Sequence, residues 1–222
     1  MLSVEFHCHT VFSKDSLVSP EKLVRTCQRK GIDRVVVTDH NTTHGAQCAQ
    51  ELDPNRVIIG EEIMTREGEL LAAYMTEEIP PGLPALETIA ILRHQGAFIS
   101  VSHPFDRMRS GHWELPDLLK IAPLVDAIET FNARCMRSSF NDEALAFAQQ
   151  YGIKGTAGSD AHAAFELGRA SMRLPDFSDA QSLKEAMGKV QFEASMSSPL
   201  VHFTSRYAVW HKKLNGKISH TG

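Results

Sequence analysis

Cysteine is scarce in this sequence, and the few cysteines form no compact framework. Four occur among 222 residues, and no two are spaced as a CxxC pair. This excludes a disulfide-stapled secreted domain and predicts reduced thiols in a cytoplasmic protein. The first nine residues contain Glu5, His7 and His9, which argues against the apolar core of a secretory signal.

Long hydrophobic runs are missing as well. No stretch approaches the roughly 20 apolar residues that a membrane-spanning helix needs, so no membrane partner is expected. The net charge of −4 argues against a dedicated nucleic-acid coat protein. A length of 222 residues with 42% hydrophobic residues predicts a single globular domain, residues 1–222, with a sizeable core. The oligomeric state is left open.

Acidic residues are absent from the C-terminal segment. From residue 194 onward there is no Asp or Glu, and the basic residues are Arg206, Lys212, Lys213 and Lys217. The chain therefore divides into a predicted barrel, residues 1–193, and a basic segment, residues 194–222. Within that segment, "LVHFTSRYAVWHKKL" predicts an amphipathic helix that packs on the barrel with its Val, Tyr and Trp inward. Two alternatives stay open for the basic charge, a solvated helix face or contact with phosphates.

Strand-like and helix-like runs alternate along the rest of the chain. "DRVVVTDH" is typical of a strand buried on both faces, and "SPEKLVRTCQRKG" of a capped helix. "GELLAAYM" follows a Gly-containing turn and is a candidate antiparallel partner. Six or seven strand–helix units in one domain predict an α/β fold with a closed or nearly closed barrel.

Histidines and carboxylates recur at one place in these units, the C-terminal end of the strand. In a βα barrel these ends converge on one face, where active sites are built. Glu61 and Glu62 are adjacent, so they cannot both point inward. The pattern predicts a metal centre drawn from the following residues: His7, His9, Asp39, His40, Glu61, Glu62, His103, Glu129, Asn132, Asp160 and His162.

The residue types narrow the choice of metal. Imidazole and carboxylate ligands without thiolate suit Zn²⁺, Mn²⁺ or Fe²⁺ better than Ca²⁺ or Mg²⁺ alone. There are more candidate ligands than one ion needs, so two or three divalent ions are expected, with a carboxylate between them. Zn²⁺ or Mn²⁺ is preferred, and Fe²⁺ or Mg²⁺ is the alternative.

Five motifs, "HCHT", "TDHNT", "GEEI", "SHPF" and "GSDAH", occur in this order between residues 3 and 175. The ordered set resembles the PHP (polymerase and histidinol phosphatase) family. The resemblance implies a distorted (β/α)7 TIM-like barrel that holds up to three metal ions at the C-terminal ends of its strands. It also implies a phosphoesterase activity.

The resemblance assigns ligands motif by motif. It implies that His7, His9 and Asp160 bind one ion and that Glu62 bridges to the next, leaving Glu61 outside. His103 is implied for the second ion. The implied ligands of the third ion are His40, His162 and, as the nearest acidic match, Asp15. The implied catalytic set is His7, His9, Glu62, His103, Asp160 and His162.

The family pattern has one more ligand for the second ion, and no histidine or cysteine is in register for it here. Glu129, Asn132, Cys135 or a water is the candidate. Asp39 is expected to orient an imidazole instead of binding an ion, and Glu129 has the same expected role if it is not that ligand.

Cations near the site are needed to hold a phosphate. Arg107, Arg134 and Arg169 each follow a site motif, and a guanidinium suits phosphate oxygens, although each could equally form a surface salt bridge. These arginines and Asn132 are the predicted substrate-binding residues. Only about 40 residues separate "GEEI" from "SHPF", which predicts an open site without a separate capping domain.

The predicted function is hydrolysis of a phosphomonoester by metal-activated hydroxide. The expected partner is a small phosphorylated substrate such as a nucleotide or sugar phosphate, or a nucleic-acid end. One alternative is an amidohydrolase-type enzyme on the same metals. It is weaker because such sites commonly use a strand-end lysine, and Lys154 begins its strand. Another is a non-catalytic PHP module associated with nucleic-acid metabolism, and the near-complete ligand set favours catalysis over it.

Overall fold

The part of the chain described here forms nine strands of one sheet and seven α-helices. The structure is a computed structural model and describes residues 1–216. The strands are β1 Leu2–Glu5, β2 Arg34–Val37, β3 Val57–Met64, β4 Glu69–Ala73, β5 Phe98–Val101, β6 Ala127–Asn132, β7 Lys154–Gly158, β8 Ala170–Leu174 and β9 Gln191–Ala194. The helices are α1 Pro20–Lys30, α2 His44–Leu52, α3 Ala85–His94, α4 Leu115–Ile121, α5 Ser138–Tyr151, α6 Ala180–Ala186 and α7 Val201–Leu214.

The residues at the two ends of helix α1 determine where the helix begins and ends. Ser19 accepts a hydrogen bond from the backbone N–H of Lys22, and Pro20 occupies the first turn. The helix ends at Gly31, whose φ of 68° is a left-handed conformation that favours glycine. Leu23 and Cys27 are fully buried and hold the helix against the sheet.

The sheet runs in the order β7-β6-β5-β4-β3-β2-β1-β8-β9. Its first seven strands curl into a barrel, because the extension of β1 at Cys8 forms a parallel bridge with Ala161 beyond the end of β7. The N–H of His9 donates to the carbonyl of Ala161 at 2.9 Å. At its other end β1 pairs antiparallel with β8, so the barrel closes only where the C-terminal strand ends meet. The predicted barrel is confirmed.

Strand β4 departs from the strand–helix alternation. It follows β3 through a tight turn and pairs antiparallel with both β3 and β5. Its first residue, Glu69, lies opposite Met64, the last residue of β3. The beginning of β4 therefore lies at the same end of the barrel as the C-terminal ends of its neighbours.

The last helix packs differently from the prediction. Tyr207 and Trp210 were expected to face inward, but they are 54% and 56% exposed. The buried residues of α7 are Val201, Ala208 and Lys212. The expectation was wrong for the two aromatic rings, because Val201, a small alanine and a lysine stem line the contact instead. The predicted boundary at 193 and 194 falls within β9, and Lys217 lies outside the described residues.

The sequence-based assignment also omitted α2, β8 and β9. Two of these elements have weak secondary-structure signals in the sequence. Strand β9 is exposed along its whole length, and the second residue of α2 is a glycine. None of the helices in residues 1–216 is long and apolar enough to cross a membrane.

Candidate metal centre

The eight residues predicted as metal ligands meet at the end of the barrel that is formed by the C-terminal ends of its parallel strands. Six of them are buried, and only Asp15 and His40 retain partial exposure, as expected at the mouth of the site. Six of them follow the C-terminal end of a strand, Glu62 lies within β3 two residues before its end, and Asp15 lies in the loop between β1 and α1. The barrel therefore gathers ligands that are far apart in sequence.

The first group of ligands surrounds His7 and His9. Their Nε2 atoms lie 3.2 Å apart. Oε2 of Glu62 is 3.3 Å from Nε2 of His7 and 3.4 Å from that of His9. Oδ1 of Asp160 is 3.2 Å from Nε2 of His9. Gly158 leaves room for this arrangement, because a Cβ there would lie 2.3 Å from Cβ of His7.

Buried acceptors hold the other nitrogen of both imidazoles. Nδ1 of His7 lies 2.9 Å from Oε1 of Glu129, and since a carboxylate only accepts, the imidazole donates. Nδ1 of His9 lies 3.1 Å from Oγ of Ser13, whose hydroxyl donates to Asp39. Both Nε2 atoms are thereby turned toward the carboxylates of the centre. Glu129 contacts His7 directly, whereas Asp39 reaches His9 only through Ser13, and their orienting role stays a prediction.

Asp15, His40 and His162 form a second group at the mouth. Oδ2 of Asp15 is 3.1 Å from Nε2 of His162, and its Oδ1 is 3.6 Å from Nε2 of His40. Ring nitrogens of His9, His40 and His162 also lie within 4.8 Å of one another. These residues could hold the ion that was predicted for this side of the centre.

A third group centres on His103. Its Nε2 is 3.1 Å from Oε1 of Glu62 and 3.4 Å from Oε2 of Glu69. Glu69 was not predicted, because the predicted ligands lie at C-terminal strand ends and Glu69 begins β4, which runs the other way. The turn before "GELLAAYM" was the available signal, since an antiparallel β4 brings Glu69 to this end.

Glu69 lies beside His103, where the family pattern has one more ligand for the second ion. The sequence offered three other residues for that ligand. Glu129 accepts hydrogen bonds from His7 and from the N–H of His103, so both of its oxygens are engaged. Asn132 donates to Glu129 and to Asp160, which places it behind the ligands and not on the substrate side. Burial raises the pKa of the Cys135 thiol, which disfavours the thiolate that would bind a metal.

The charges of the centre suit cation binding. Burial raises the pKa of Asp160, but Arg109 and His7 outweigh it and hold that pKa well below its usual range. Burial likewise opposes ionisation of Glu62, and His7 and His40 lower its pKa further than burial raises it. Burial, with His162 and His40 nearby, lowers the pKa of His9, which favours the neutral imidazole that binds metals.

Three carboxylate oxygens of this centre are buried without a hydrogen-bond donor within residues 1–216: Oε2 of Glu62, Oδ1 of Asp160 and Oδ1 of Asp15. A buried carboxylate oxygen left without a partner is costly. All three face imidazole nitrogens at distances typical of two ligands on one ion. The residues present therefore fit divalent cations.

The cations of the site differ from the predicted set. Arg109, which was not predicted, places Nη1 2.6 Å from Oδ2 of Asp160. Arg107 instead pairs with Glu143 at the surface and is 57% exposed. The loop "FDRMRS" offers both arginines two residues apart, and sequence alone does not show which one turns inward. Arg169 is exposed and lines neither of the two cavities that adjoin the metal centre, so its predicted substrate role is not supported.

Arg134 does line the cavity above the metal centre, but it has structural partners. Its Nη2 donates to the carbonyl of Val201 at 2.8 Å, and its Nε lies 3.3 Å from Oε2 of Glu166. The cavity has a volume of about 530 Å³. Lys14 and Arg109 line it as well and add two cationic groups to its wall, and His202 contributes an imidazole.

A family model described as PHP domain matches residues 5–154, and a second described as PHP-associated matches residues 138–189. The chain therefore belongs to the PHP family, as the motifs indicated.

Two proteins and one solved structure are similar to this chain. An uncharacterized protein of Methanocaldococcus jannaschii is 34% identical over 178 residues, covering 79% of this chain and 71% of that protein. A Caldicellulosiruptor bescii protein named "Probable phosphatase" is 31% identical over 62 residues, covering 28% of this chain and 26% of that protein. A solved structure from Bacteroides vulgatus, described as a two-domain protein containing a predicted PHP-like metal-dependent phosphoesterase, matches with a TM-score of 0.71 and 19% identity. That match covers 93% of this chain and 69% of the other, and it shows a shared fold.

Proposed function

We propose that the chain is a metal-dependent phosphoesterase that hydrolyses a phosphomonoester such as a nucleotide, a sugar phosphate or an oligonucleotide end. The observation that carries the proposal is the set of buried, donor-free carboxylate oxygens of Glu62, Asp160 and Asp15 facing histidine nitrogens. Membership of the PHP family and the names of the C. bescii and B. vulgatus proteins support the same activity.

Two or three divalent ions fit the ligand groups. His7, His9, Glu62 and Asp160 would hold one, and Asp15, His40 and His162 another; His103 and Glu69, with Glu62 shared, would hold a third. The ligand types favour Zn²⁺ or Mn²⁺, with Fe²⁺ or Mg²⁺ as alternatives. When bound, such ions supply Lewis-acid stabilisation of phosphoryl oxygens and lower the pKa of water.

The chain's own residues bind and orient the ester. Arg109 is held by Asp160 and Asp106 and presents its guanidinium to the cavity, where it would contact phosphoryl oxygens. Lys14 adds an exposed ammonium at the rim. Burial, with Arg134 and Arg109 nearby, lowers the pKa of His202. His202 would therefore be neutral and able to take up a proton at the cavity wall.

A cytoplasmic location belongs to the same proposal. All four cysteines are free thiols, and two of them, Cys8 and Cys27, are completely buried. Free thiols fit a reducing compartment.

Hydrolysis of p-nitrophenyl phosphate tests the proposal. We expect the purified protein to hydrolyse it with added Mn²⁺, and His9→Ala to abolish the activity because His9 contacts the ligand atoms of two groups. His94→Ala, an exposed histidine at the end of α3, is the matched control and should retain full activity. Full activity in a metal-stripped, chelated sample would refute the proposal.

A further inference from the structure

A second cavity continues from the metal centre along helix α7. Its volume is about 420 Å³, and its walls are Asp15, Ser205, Arg206, Val209, Trp210 and Lys213. Asp15 and Ser205 also line the cavity above the metal centre. A ligand bound at the ions can therefore extend directly onto α7.

The outer face of α7 is arranged as a stripe. His202 lines the first cavity, while Arg206, Val209 and Trp210 together with Lys213 line the second. Their spacing of three and four residues places them on one side of the helix. From residue 202 to residue 213 the helix rises by about 16 Å. The stripe thus leads away from the metal centre over a length well beyond one phosphate group.

The side chains of the stripe combine two cations with an aromatic ring. Arg206 and Lys213 are exposed, and neither makes an ion pair within residues 1–216. Trp210 lies between them in sequence and is 56% exposed. The only carboxylate in this wall is Asp15, which faces His40 and His162. The wall is therefore positive and carries an exposed aromatic ring, with the ring of Tyr207 beside it at a centroid distance of 5.8 Å.

We propose that the substrate is the end of a single-stranded oligonucleotide, with its terminal phosphate at the metal centre and the adjoining nucleotides along α7. A base stacks on Trp210, and backbone phosphates contact Arg206 and Lys213, which is how sequence-tolerant single-strand binding works. This deepens the proposed function and rests on it. A sugar phosphate or a mononucleotide would occupy the first cavity and leave the stripe of α7 without a ligand.

An oligonucleotide without a terminal phosphate tests the stripe of α7 apart from catalysis. Binding of fluorescein-labelled hexathymidylate to the metal-loaded protein is measured by anisotropy. We expect the double variant Arg206→Glu, Lys213→Glu to weaken binding at least tenfold. The slope of log affinity against log salt should fall by about 1.4, since each lost phosphate contact removes roughly 0.7. Trp210→Ala should weaken binding about tenfold.

Two variants of matched chemistry serve as controls. Lys154→Glu reverses a charge at the start of β7, the opposite end of the barrel, and Phe203→Ala removes an exposed aromatic of α7 that lines neither cavity. Both should bind within twofold of the wild-type protein. Equal binding by the wild-type, Trp210→Ala and double-variant proteins would overturn the inference, as would tighter binding of a phosphopeptide than of the hexathymidylate.

Kinetics separate this inference from the proposed function. We expect Trp210→Ala and the double variant Arg206→Glu, Lys213→Glu to lose about tenfold in kcat/KM on 5′-phosphorylated hexathymidylate. Both should keep wild-type activity on p-nitrophenyl phosphate. If the wild-type protein hydrolyses neither compound, the proposed function fails and the substrate assignment fails with it. If p-nitrophenyl phosphate is hydrolysed but thymidine monophosphate is as good a substrate as the phosphorylated hexamer, only the substrate assignment fails.

Discussion

Each of the paired histidines His7 and His9 is oriented by a buried neighbour at one nitrogen and offers the other to the centre. Glu129 serves His7, and Ser13, itself bonded to Asp39, serves His9. Such outer hydrogen bonds fix the tautomer and ring direction of a metal-binding imidazole. The ligand atoms are therefore aligned by the folded chain, before any ion contributes.

The role of Glu69 can be tested by a change of one charge. Glu69→Gln keeps the size of the side chain but removes the anionic oxygen that lies 3.4 Å from Nε2 of His103. We expect the purified variant to hold one fewer ion per chain, measured by inductively coupled plasma mass spectrometry after dialysis. A neutral amide oxygen is a poorer ligand than a carboxylate.

An exposed glutamate provides the comparison. Glu77→Gln changes the same chemistry outside the centre and should leave the metal content unchanged. If Glu69→Gln holds as many ions as the wild-type protein, Glu69 is not a ligand.

Residue types located the candidate centre, whereas side-chain directions could not be predicted. Seven of the eight predicted ligands came from the five motifs and Asp15 from the loop after the first motif, because the C-terminal ends of barrel strands converge on one face. Arg107 and Arg109 lie in one loop and are chemically identical, so only the three-dimensional turn separates a surface ion pair from a partner of Asp160. Glu69 required knowing the direction of β4.

Among the elements, α7 is fastened to the barrel at both of its ends. Near its start, Arg134 donates to the carbonyl of Val201 and to Ser205. Near its end, the buried ammonium of Lys212 donates to the carbonyls of Val11 and Ser13. Ser13 orients His9, so α7 is mechanically connected to the metal centre.

Removing the ammonium of Lys212 should loosen this connection. Lys212→Met keeps most of the buried stem but leaves the carbonyls of Val11 and Ser13 without this donor. We expect a loss of roughly 1–3 kcal/mol in unfolding free energy, measured by urea titration. Weaker Zn²⁺ binding in a competitive chelator titration should accompany it, because the loop also carries Asp15.

The neighbouring lysine makes a close control. Lys213→Met removes an exposed ammonium from the next position and should change neither stability nor Zn²⁺ affinity. Identical Zn²⁺ affinity in the Lys212→Met and wild-type proteins would show that α7 does not position the centre.

The elements predicted from sequence were those with strong periodicity and clear caps, such as α1 and the β-branched β2. The omitted strands β8 and β9 extend the sheet beyond β1, and β9 has no buried residue to produce an alternating pattern. The face of α7 was assigned wrongly because burial there depends on the loop beneath it, which no local pattern reports.

At the scale of the whole molecule, stability should depend on the protonation of Glu61. Burial raises the pKa of this carboxyl to about 8, and one oxygen accepts from the N–H of Ile79. The folded state thus binds the proton more tightly than the unfolded state, whose pKa is near 4.5. Stability from this group is full below pH 4.5 and is lost as the pH rises toward 8, by at most about 1.4 kcal/mol per pH unit.

Replacing Glu61 should remove that dependence. We expect the unfolding free energy of Glu61→Gln, measured by urea titration from pH 5 to 9, to exceed that of the wild-type protein increasingly as the pH rises. Glu87→Gln, at an exposed position of α3, should follow the wild-type curve. A constant difference between Glu61→Gln and the wild-type protein across this range would contradict the assignment.

The barrel closes through a bridge between Cys8 and Ala161, and this closure affects the order of folding and metal binding. The partners of the first ion stand at residues 7 and 160, so their contact has a very high sequence separation and is entropically costly to form early in folding. During synthesis the ribosome must release β7 before the ligand set is complete. We therefore expect metal binding to follow barrel closure, because the proposed ligands come together only when the first and last barrel strands have met.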